Sequence, residues 1–314
     1  MGTFPRPRPL STLHPAVRFL HTSDACQTNE VIQLSCKQLT CGERQVQIMD
    51  SLIASGGLVA PGKWPWVASL SYMDRPICGA VVVGQRWVMT AAHCIMQALN
   101  GRSGVDFTKV PFYFSVKAGV NNIFTSDADT AKEPGTLAGP QVFRVANISL
   151  HPDNWDLALL ELNATGKAEG FEFTELVQPI CLPSQGEEFP ASSRCYIAGW
   201  GSLNWFHDTT SHVLRDARMS VWSELRCKNA GLYRGIVLDT KSTLCGGFLY
   251  SGAPRPCKGD SGGPLMCLDL RSRRYKLAGI ISQGDGDCSI ARPNKVSFAQ
   301  VAMATGWIKH IMGD

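Results

Sequence analysis

The sequence predicts an all-β fold, sandwich or barrel, that closes on a helix. From about residue 64 the chain runs in short alternating or apolar stretches broken by Gly, Pro, Asn and Asp, the texture of many short strands joined by turns. The final stretch, "AMATGWIKHIM", changes period: Trp307, Ile308 and Ile311 recur at helical spacing. Twelve widely spaced cysteines point to disulfides and an oxidising compartment.

Residues 1–21 are rich in Pro and Arg and read as a disordered N-terminal segment. The runs that read as strands are "WVASLSYM", "CGAVVVG", "RWVMTAA", "FSVKAGV" and "LALLEL". After a Pro-containing break come "RCYIAGWG", "HVLRDARMSVW", "PLMCLDL", "YKLAGIISQG" and "KVSFAQVA". Two polar, Gly-containing stretches, around 97–110 and 125–140, read as surface insertions, and no internal repeat is evident.

At 314 residues, 44% hydrophobic and 18% charged, the chain can build one large or two modest domains. A formal net charge of +4 with no Lys/Arg run argues against nucleic acid as a partner. No Cys-x-x-Cys occurs, which removes zinc ribbons and thioredoxin-type chemistry. The N-terminus lacks an apolar stretch of signal-peptide length, and no segment has the roughly 18 apolar residues of a membrane span. The cysteines thus place the chain outside the cell, secreted or at the cell surface, while no leader or anchor is visible; a truncated or alternative N-terminus would reconcile the two.

Three segments carry chemistry. "MTAAHC" places His93 after an apolar strand, "NWDLALLEL" places Asp156 at the start of another, and "KGDSGGP" places Ser261 in a Gly-rich turn. Each alone has a structural reading: a His beside a Cys, an Asp opening a strand, a tight loop. Together they meet a chemical need. A serine hydroxyl attacks only if a base takes its proton, the base needs a carboxylate to orient it, and glycines let backbone N–H groups reach a developing oxyanion.

In this order of His, Asp and Ser the sequence resembles the chymotrypsin-like (trypsin-like) serine proteases over roughly residues 53–314. "PGKWPWVASL", "QPICLP", "CYIAGWG" and "SQG" at 282–284 extend the likeness. The resemblance implies two antiparallel β-barrels with a cleft between them and a C-terminal helix. It implies Ser261 as nucleophile, His93 as base, Asp156 as its orienting group and the N–H groups of Gly259 and Ser261 as oxyanion hole. Ser282, Gln283 and Gly284 would align a peptide substrate, with Lys258 at the pocket mouth. No metal or organic cofactor is implied; the partners implied are a protein or peptide substrate, an activating protease and protease inhibitors.

Family pairing implies disulfides Cys78–Cys94, Cys195–Cys267, Cys227–Cys245 and Cys257–Cys288, with Cys41–Cys181 tying residues 22–52, read as propeptide and linker, to a protease domain at 53–314. Cys26 and Cys36 resemble the tail of a scavenger-receptor cysteine-rich domain; they pair with each other, or the chain belongs to a larger mosaic protein. Asn147-Ile-Ser and Asn163-Ala-Thr are glycosylation sequons.

Two places depart from the family pattern. A zymogen of this kind is cut after a basic residue, and the new terminus pairs with the carboxylate before the nucleophile, here Asp260. The terminus aligns with Ile53, yet Leu52 precedes it, and Arg44 is the nearest upstream basic residue. In the specificity pocket, Arg255 stands where an aspartate usually selects basic side chains, and alignment from Cys288 puts Lys295 where a wall glycine is usual. Such a pocket selects acidic residues, is blocked, or keeps a basic preference with both cations turned away. The reading is a serine endopeptidase; its rival is a protease-like binding module without catalysis.

Overall fold

The computed structural model describes residues 40–44, 57–99, 109–124, 139–164, 168–202, 210–229, 241–247, 256–284 and 295–313. Leu52, Ile53, Arg255, Cys288, Cys26, Cys36, residues 1–21 and most of the two insertions lie outside them.

The first barrel closes in the order β2-β3-β4-β7-β6-β5. Its strands are β2 (Val67–Tyr72), β3 (Arg75–Val82), β4 (Trp87–Thr90), β5 (Phe114–Ala118), β6 (Gln141–Leu150) and β7 (Ala158–Leu162), and a two-residue strand β1 (Gly57–Leu58) precedes them. Strand alternation selects the inward side chains. In β5, Phe114, Val116 and Ala118 are fully enclosed while Ser115 and Lys117 take the other face. Leu70, Val81, Met89, Leu159 and Leu160 join them in the core, where each large apolar side chain contributes about 1.5–3 kcal/mol.

The second barrel comprises β8 (Arg194–Gly199), β9 (Arg215–Val221), β10 (Thr243–Gly247), β11 (Pro264–Asp269), β12 (Arg274–Gly284) and β13 (Lys295–Gln300). Their order is β9-β10-β13-β12-β11-β8, closed by the β8–β9 pairing, with β1 added on β9. Ile197, Met219, Leu265, Ile281, Val296 and Phe298 fill it. Every strand pair is antiparallel. The fold is therefore two six-stranded antiparallel barrels with a C-terminal helix.

Three α-helices accompany the strands among the described residues: α1 (Ala92–Ala98), α2 (Glu224–Asn229) and α3 (Val301–Met312). Helix α3 buries Val301, Ala304 and Ile308 and stops at Gly313, whose φ of 82° suits a residue without a Cβ. The run "RWVMTAA" is strand only to Thr90; Ala92 already opens α1.

Disulfides Cys78–Cys94, Cys195–Cys267, Cys227–Cys245 and Cys41–Cys181 are formed. Cys257 is disulfide-bonded, and its expected partner Cys288 lies outside the described residues. Cys41 ties an upstream strap to the second barrel: Gly42 N–H donates to Pro179 O at 2.8 Å, and Tyr275 N–H donates to Gly42 O at 2.9 Å.

Candidate active site

His93 is the second residue of α1, the short helix that follows β4. The Cys78–Cys94 disulfide fastens the next residue to β3. Asp156 lies just ahead of β7, where the 151–157 turn, closed by His151 N–H to Leu157 O at 3.0 Å, presents it to the helix. The two side chains meet. His93 Nδ1 is 2.7 Å from Asp156 Oδ2, and the backbone N–H of His93 donates to Oδ1 at 2.8 Å. Both carboxylate oxygens are thus held by one residue, which fixes the ring's position and its Nδ1–H tautomer.

A third hydrogen bond comes from the other barrel. The hydroxyl of Ser282, on β12, donates to Asp156 Oδ2 at 2.5 Å. Burial works to raise the Asp156 carboxyl, but the bonds and charge of His93 and the Ser282 hydroxyl outweigh it and hold the group below its ordinary range. A carboxylate ionised across the working pH range can support an imidazolium beside it. Sequence reasoning placed Ser282 with substrate alignment and missed this bond, because nothing in "ISQG" shows that β12 crosses to the first barrel.

Ser261 sits in the turn that leads into β11. Its carbonyl accepts from Gly79 N–H of β3 at 2.8 Å, so the Ser261 loop of the second barrel is latched to the strand bearing Cys78. Gly262 has φ of 80°, and a Cβ there would strike Thr90 Oγ1 and Gly79 O; only glycine permits this approach. Among the described residues no hydrogen bond joins Ser261 to the His93 ring, whose Nε2 instead lies 3.8 Å from Cys94 Sγ. Such contacts commonly tighten when substrate binds. Gly259, with φ of 95°, precedes Asp260, and the N–H groups of Gly259 and Ser261 donate to no backbone acceptor among the described residues.

Asp260 turns inward. Its Oδ1 accepts from Gly201 N–H at 2.8 Å and its Oδ2 from Cys257 N–H at 2.9 Å. A Cβ on Gly199 or Gly201 would collide with that carboxylate, so the "AGWG" glycines make its berth. The residue as a whole keeps some exposure, but the carboxyl group is desolvated, which pushes its pKa up to about 6 against those two bonds. No cation lies within ion-pair distance of it among the described residues.

The pocket residues divide. Lys258 is exposed, and its carbonyl accepts from Ser202 N–H at 2.8 Å. Gln283 O accepts from Ser297 Oγ at 3.1 Å. The β12–β13 register sets Gly284 opposite Val296, whereas Lys295 pairs with Gly247 of β10. Consecutive strand residues project to opposite faces. Val296 is buried in the apolar core of the second barrel, and Lys295, half-buried, takes the other face of β13.

Cys78, His93 and Cys94 bring potential metal-ligating atoms within 4.8 Å of one another, but both sulfurs are taken by a disulfide and offer no thiolate. Asn147, at a bulge of β6, and Asn163, after β7, are exposed.

The sequence profile of the trypsin family matches residues 53–308. The chain belongs to the trypsin family of serine proteases. It is similar to transmembrane protease serine 5 of Homo sapiens, 33% identical over 296 residues, covering 92% of this chain and 57% of that protein. It is also similar to transmembrane protease serine 9 of Rattus norvegicus, 31% identical over 309 residues, covering 96% of this chain and 25% of the relative. Serine protease 56 of Homo sapiens is 32% identical over 289 residues, covering 87% and 41%. The chain spans between a quarter and just over half the length of these relatives. Among the described residues no helix is long and apolar enough to cross a membrane.

Proposed function

We propose that this trypsin-family chain is a serine endopeptidase of the extracellular space, secreted or held at the cell surface. Ser261 attacks the scissile carbonyl, His93 takes its proton and later gives it to the leaving amine, and Asp156 holds the ring and stabilises the imidazolium. The N–H groups of Gly259 and Ser261 receive the oxyanion. The observation that carries this reading is the grip on His93: three hydrogen bonds converge on the Asp156 carboxylate, two from His93 and one from Ser282. A fluorophosphonate probe tests it. The reading expects labelling of the parent chain and none of Ser261→Ala, with the melting temperature of the variant unchanged.

Activation follows from Asp260. A desolvated carboxylate without a cationic partner is costly, and a new amino terminus at Ile53 would supply the cation. Residues 22–52 then act as a propeptide held by Cys41–Cys181, ahead of a protease domain at 53–314. Leu52 assigns the cut to an activator that accepts an apolar residue.

By the family's pattern, specificity rests on Arg255 at the pocket base and Lys295 on its wall. Lys258 at the mouth adds a further cation, and Ser282, Gln283 and Gly284 align the substrate backbone. Cations below and beside the entering side chain favour Asp and Glu and disfavour Lys and Arg. Glycans on Asn147 and Asn163 fit the same compartment, since both side chains are exposed.

The departures from the family pattern at Leu52, Arg255 and Lys295 favour a second reading, a binding module that no longer cuts. Labelling at Ser261 separates the two once the 52–53 bond has been opened, for example through an engineered site.

A further inference from the structure

The His93 ring has a disulfide beside it. Nδ1 is committed to Asp156, 2.7 Å from Oδ2, while Nε2 lies 3.8 Å from Cys94 Sγ. Cys78, Cys94 and His93 each offer one potential ligand atom, and these atoms lie within 4.8 Å of one another. A tetrahedral zinc ion, about 2.3 Å from thiolate and about 2.0 Å from imidazole, holds that sulfur and nitrogen about 3.5 Å apart. The spacing of His93 and Cys94 is close to this. Two zinc-bound sulfurs stand about 3.7 Å apart, a separation they can reach only once the S–S bond is open.

The backbone seats this trio independently of the sulfur–sulfur bond. Cys78 stands in the β2–β3 ladder opposite Leu70, and Cys94 N–H donates to Ala91 O at 3.2 Å. Asp156 holds both the N–H and the ring of His93. A histidine whose far N–H is given to a carboxylate is the usual form of a zinc-ligating imidazole, because the carboxylate fixes the tautomer and raises the basicity of the ring. Access differs among the disulfides. Cys195–Cys267 and Cys227–Cys245 are buried at both ends, whereas Cys78 is half-buried and open to an attacking thiolate. Cys41 is half-buried too, but its bridge to Cys181 has no such third ligand among the described residues.

We propose that Cys78, Cys94 and His93 form a zinc site that reduction opens and oxidation closes. A thiolate of a dithiol reductant attacks Cys78 Sγ and expels Cys94 as thiolate. The second sulfur of the reductant then displaces Cys78, and the reductant leaves as its own disulfide, so two electrons pass to the cysteine sulfurs. Zinc takes the two thiolates and His93 Nε2, the thiol protons pass to solvent, and one coordination position remains for water. An imidazole bound to zinc through Nε2 cannot take the proton of Ser261. In an oxidising compartment the sulfurs stay bonded and the ring stays free. The consequence for catalysis rests on the proteolytic reading; the metal site does not.

The test reduces the full chain with a limiting dithiol, removes the reagent and adds Zn²⁺ alone, or Co²⁺ as a coloured stand-in. Alkylation and peptide mapping should find Cys78 and Cys94 among the first thiols freed, with Cys195–Cys267 and Cys227–Cys245 intact. The reduced chain should bind zinc and the oxidised chain should not, and cobalt should show the intense near-ultraviolet absorption of thiolate ligation. Cys78→Ala with Cys94→Ala should abolish binding. His93→Ala should weaken it at least about a hundredfold, more than the loss of an outer-shell partner costs. Zinc should also suppress fluorophosphonate labelling of the activated, reduced chain, and a chelator should restore it. Equal zinc uptake by the parent and either variant overturns the proposal, as does a Cys78–Cys94 bond that outlasts the buried disulfides. Loss of the cooperative melt when that bond opens overturns it as well, since the site needs the fold. A chain that binds zinc in this way but never labels at Ser261 would remove the protease reading and leave the metal site standing.

Discussion

The guanidinium of Arg44 lies 4.0 Å from the ring centre of Trp64 and 4.7 Å from that of Tyr275, whose hydroxyl it hydrogen-bonds at 2.8 Å. The next basic residue, Lys63, is buried and paired with Asp216 at 2.6 Å. Residues 45–62 contain no Lys or Arg. A trypsin-like activator must draw a basic side chain into its own pocket, and the folded chain withholds both. Trypsin is therefore expected to leave the native protein uncut between 44 and 63, as mapped by N-terminal sequencing of the products. Tyr275→Ala removes one stacking face and the hydrogen bond, each worth about 0.5–2 kcal/mol, and should expose the bond after Arg44. Ready cleavage there in the parent chain would show that the stack does not protect it.

Ser282→Ala removes the donor that reaches Asp156 from the second barrel. A hydrogen bond to a charged group is worth about 1.5–3 kcal/mol, so kcat/KM of the activated chain should fall about tenfold to a hundredfold. Asp156→Asn destroys the tautomer control itself, and the general behaviour of this triad sets that loss at about 10⁴-fold. Equal losses in the two variants would mean that Ser282 does more than support the carboxylate.

Asp260 makes the uncut chain sensitive to pH. Its folded pKa, about 6, exceeds its unfolded value of 3.8, so the folded state binds the extra proton. This stabilising contribution is complete below pH 3.8 and is lost as pH rises through 6, a change of about 3 kcal/mol. In denaturant melts the stability of the parent relative to Asp260→Asn should fall by that amount between about pH 4 and pH 7. After cleavage at 52–53 the difference should shrink or reverse, because a paired amine lowers the carboxyl again. A pH-independent difference before cleavage would contradict the desolvated berth.

The proposed pocket has Lys295 on its wall, on the face of β13 away from the buried Val296. Lys295→Gly should weaken the preference for acidic residues before the scissile bond in a peptide library. Val296→Gly should instead lower the melting temperature, because it leaves a cavity in the second barrel. An unchanged preference in Lys295→Gly would take that residue out of the pocket.

The strands legible in the sequence were those whose alternation matches a one-sided core, such as Phe114, Val116 and Ala118 in β5. β6 escaped notice because its pattern breaks at a bulge, where Ala146 and Asn147 are both exposed. α1 was hidden behind β4, since seven residues are too few to establish a helical period. His93 and Asp156 were legible as residue types in a telling order, and their contact needed the fold. Ser282's bond to Asp156, the berth of Asp260 and the confinement of Arg44 were not legible, because each joins segments more than 50 residues apart through side-chain or turn geometry that composition does not encode.

The latch between Gly79 and Ser261 makes each barrel a tenant of the other. The second barrel's serine is seated by a strand of the first, and the first barrel's aspartate is steadied by a hydroxyl of the second. Chemistry at such a seam behaves like a coincidence detector, reporting only when both halves are docked. The two barrels expressed as separate polypeptides should each be silent and regain function only on mixing. A small molecule wedged into the seam, without touching the cleft, would then act as a dimmer on the whole site.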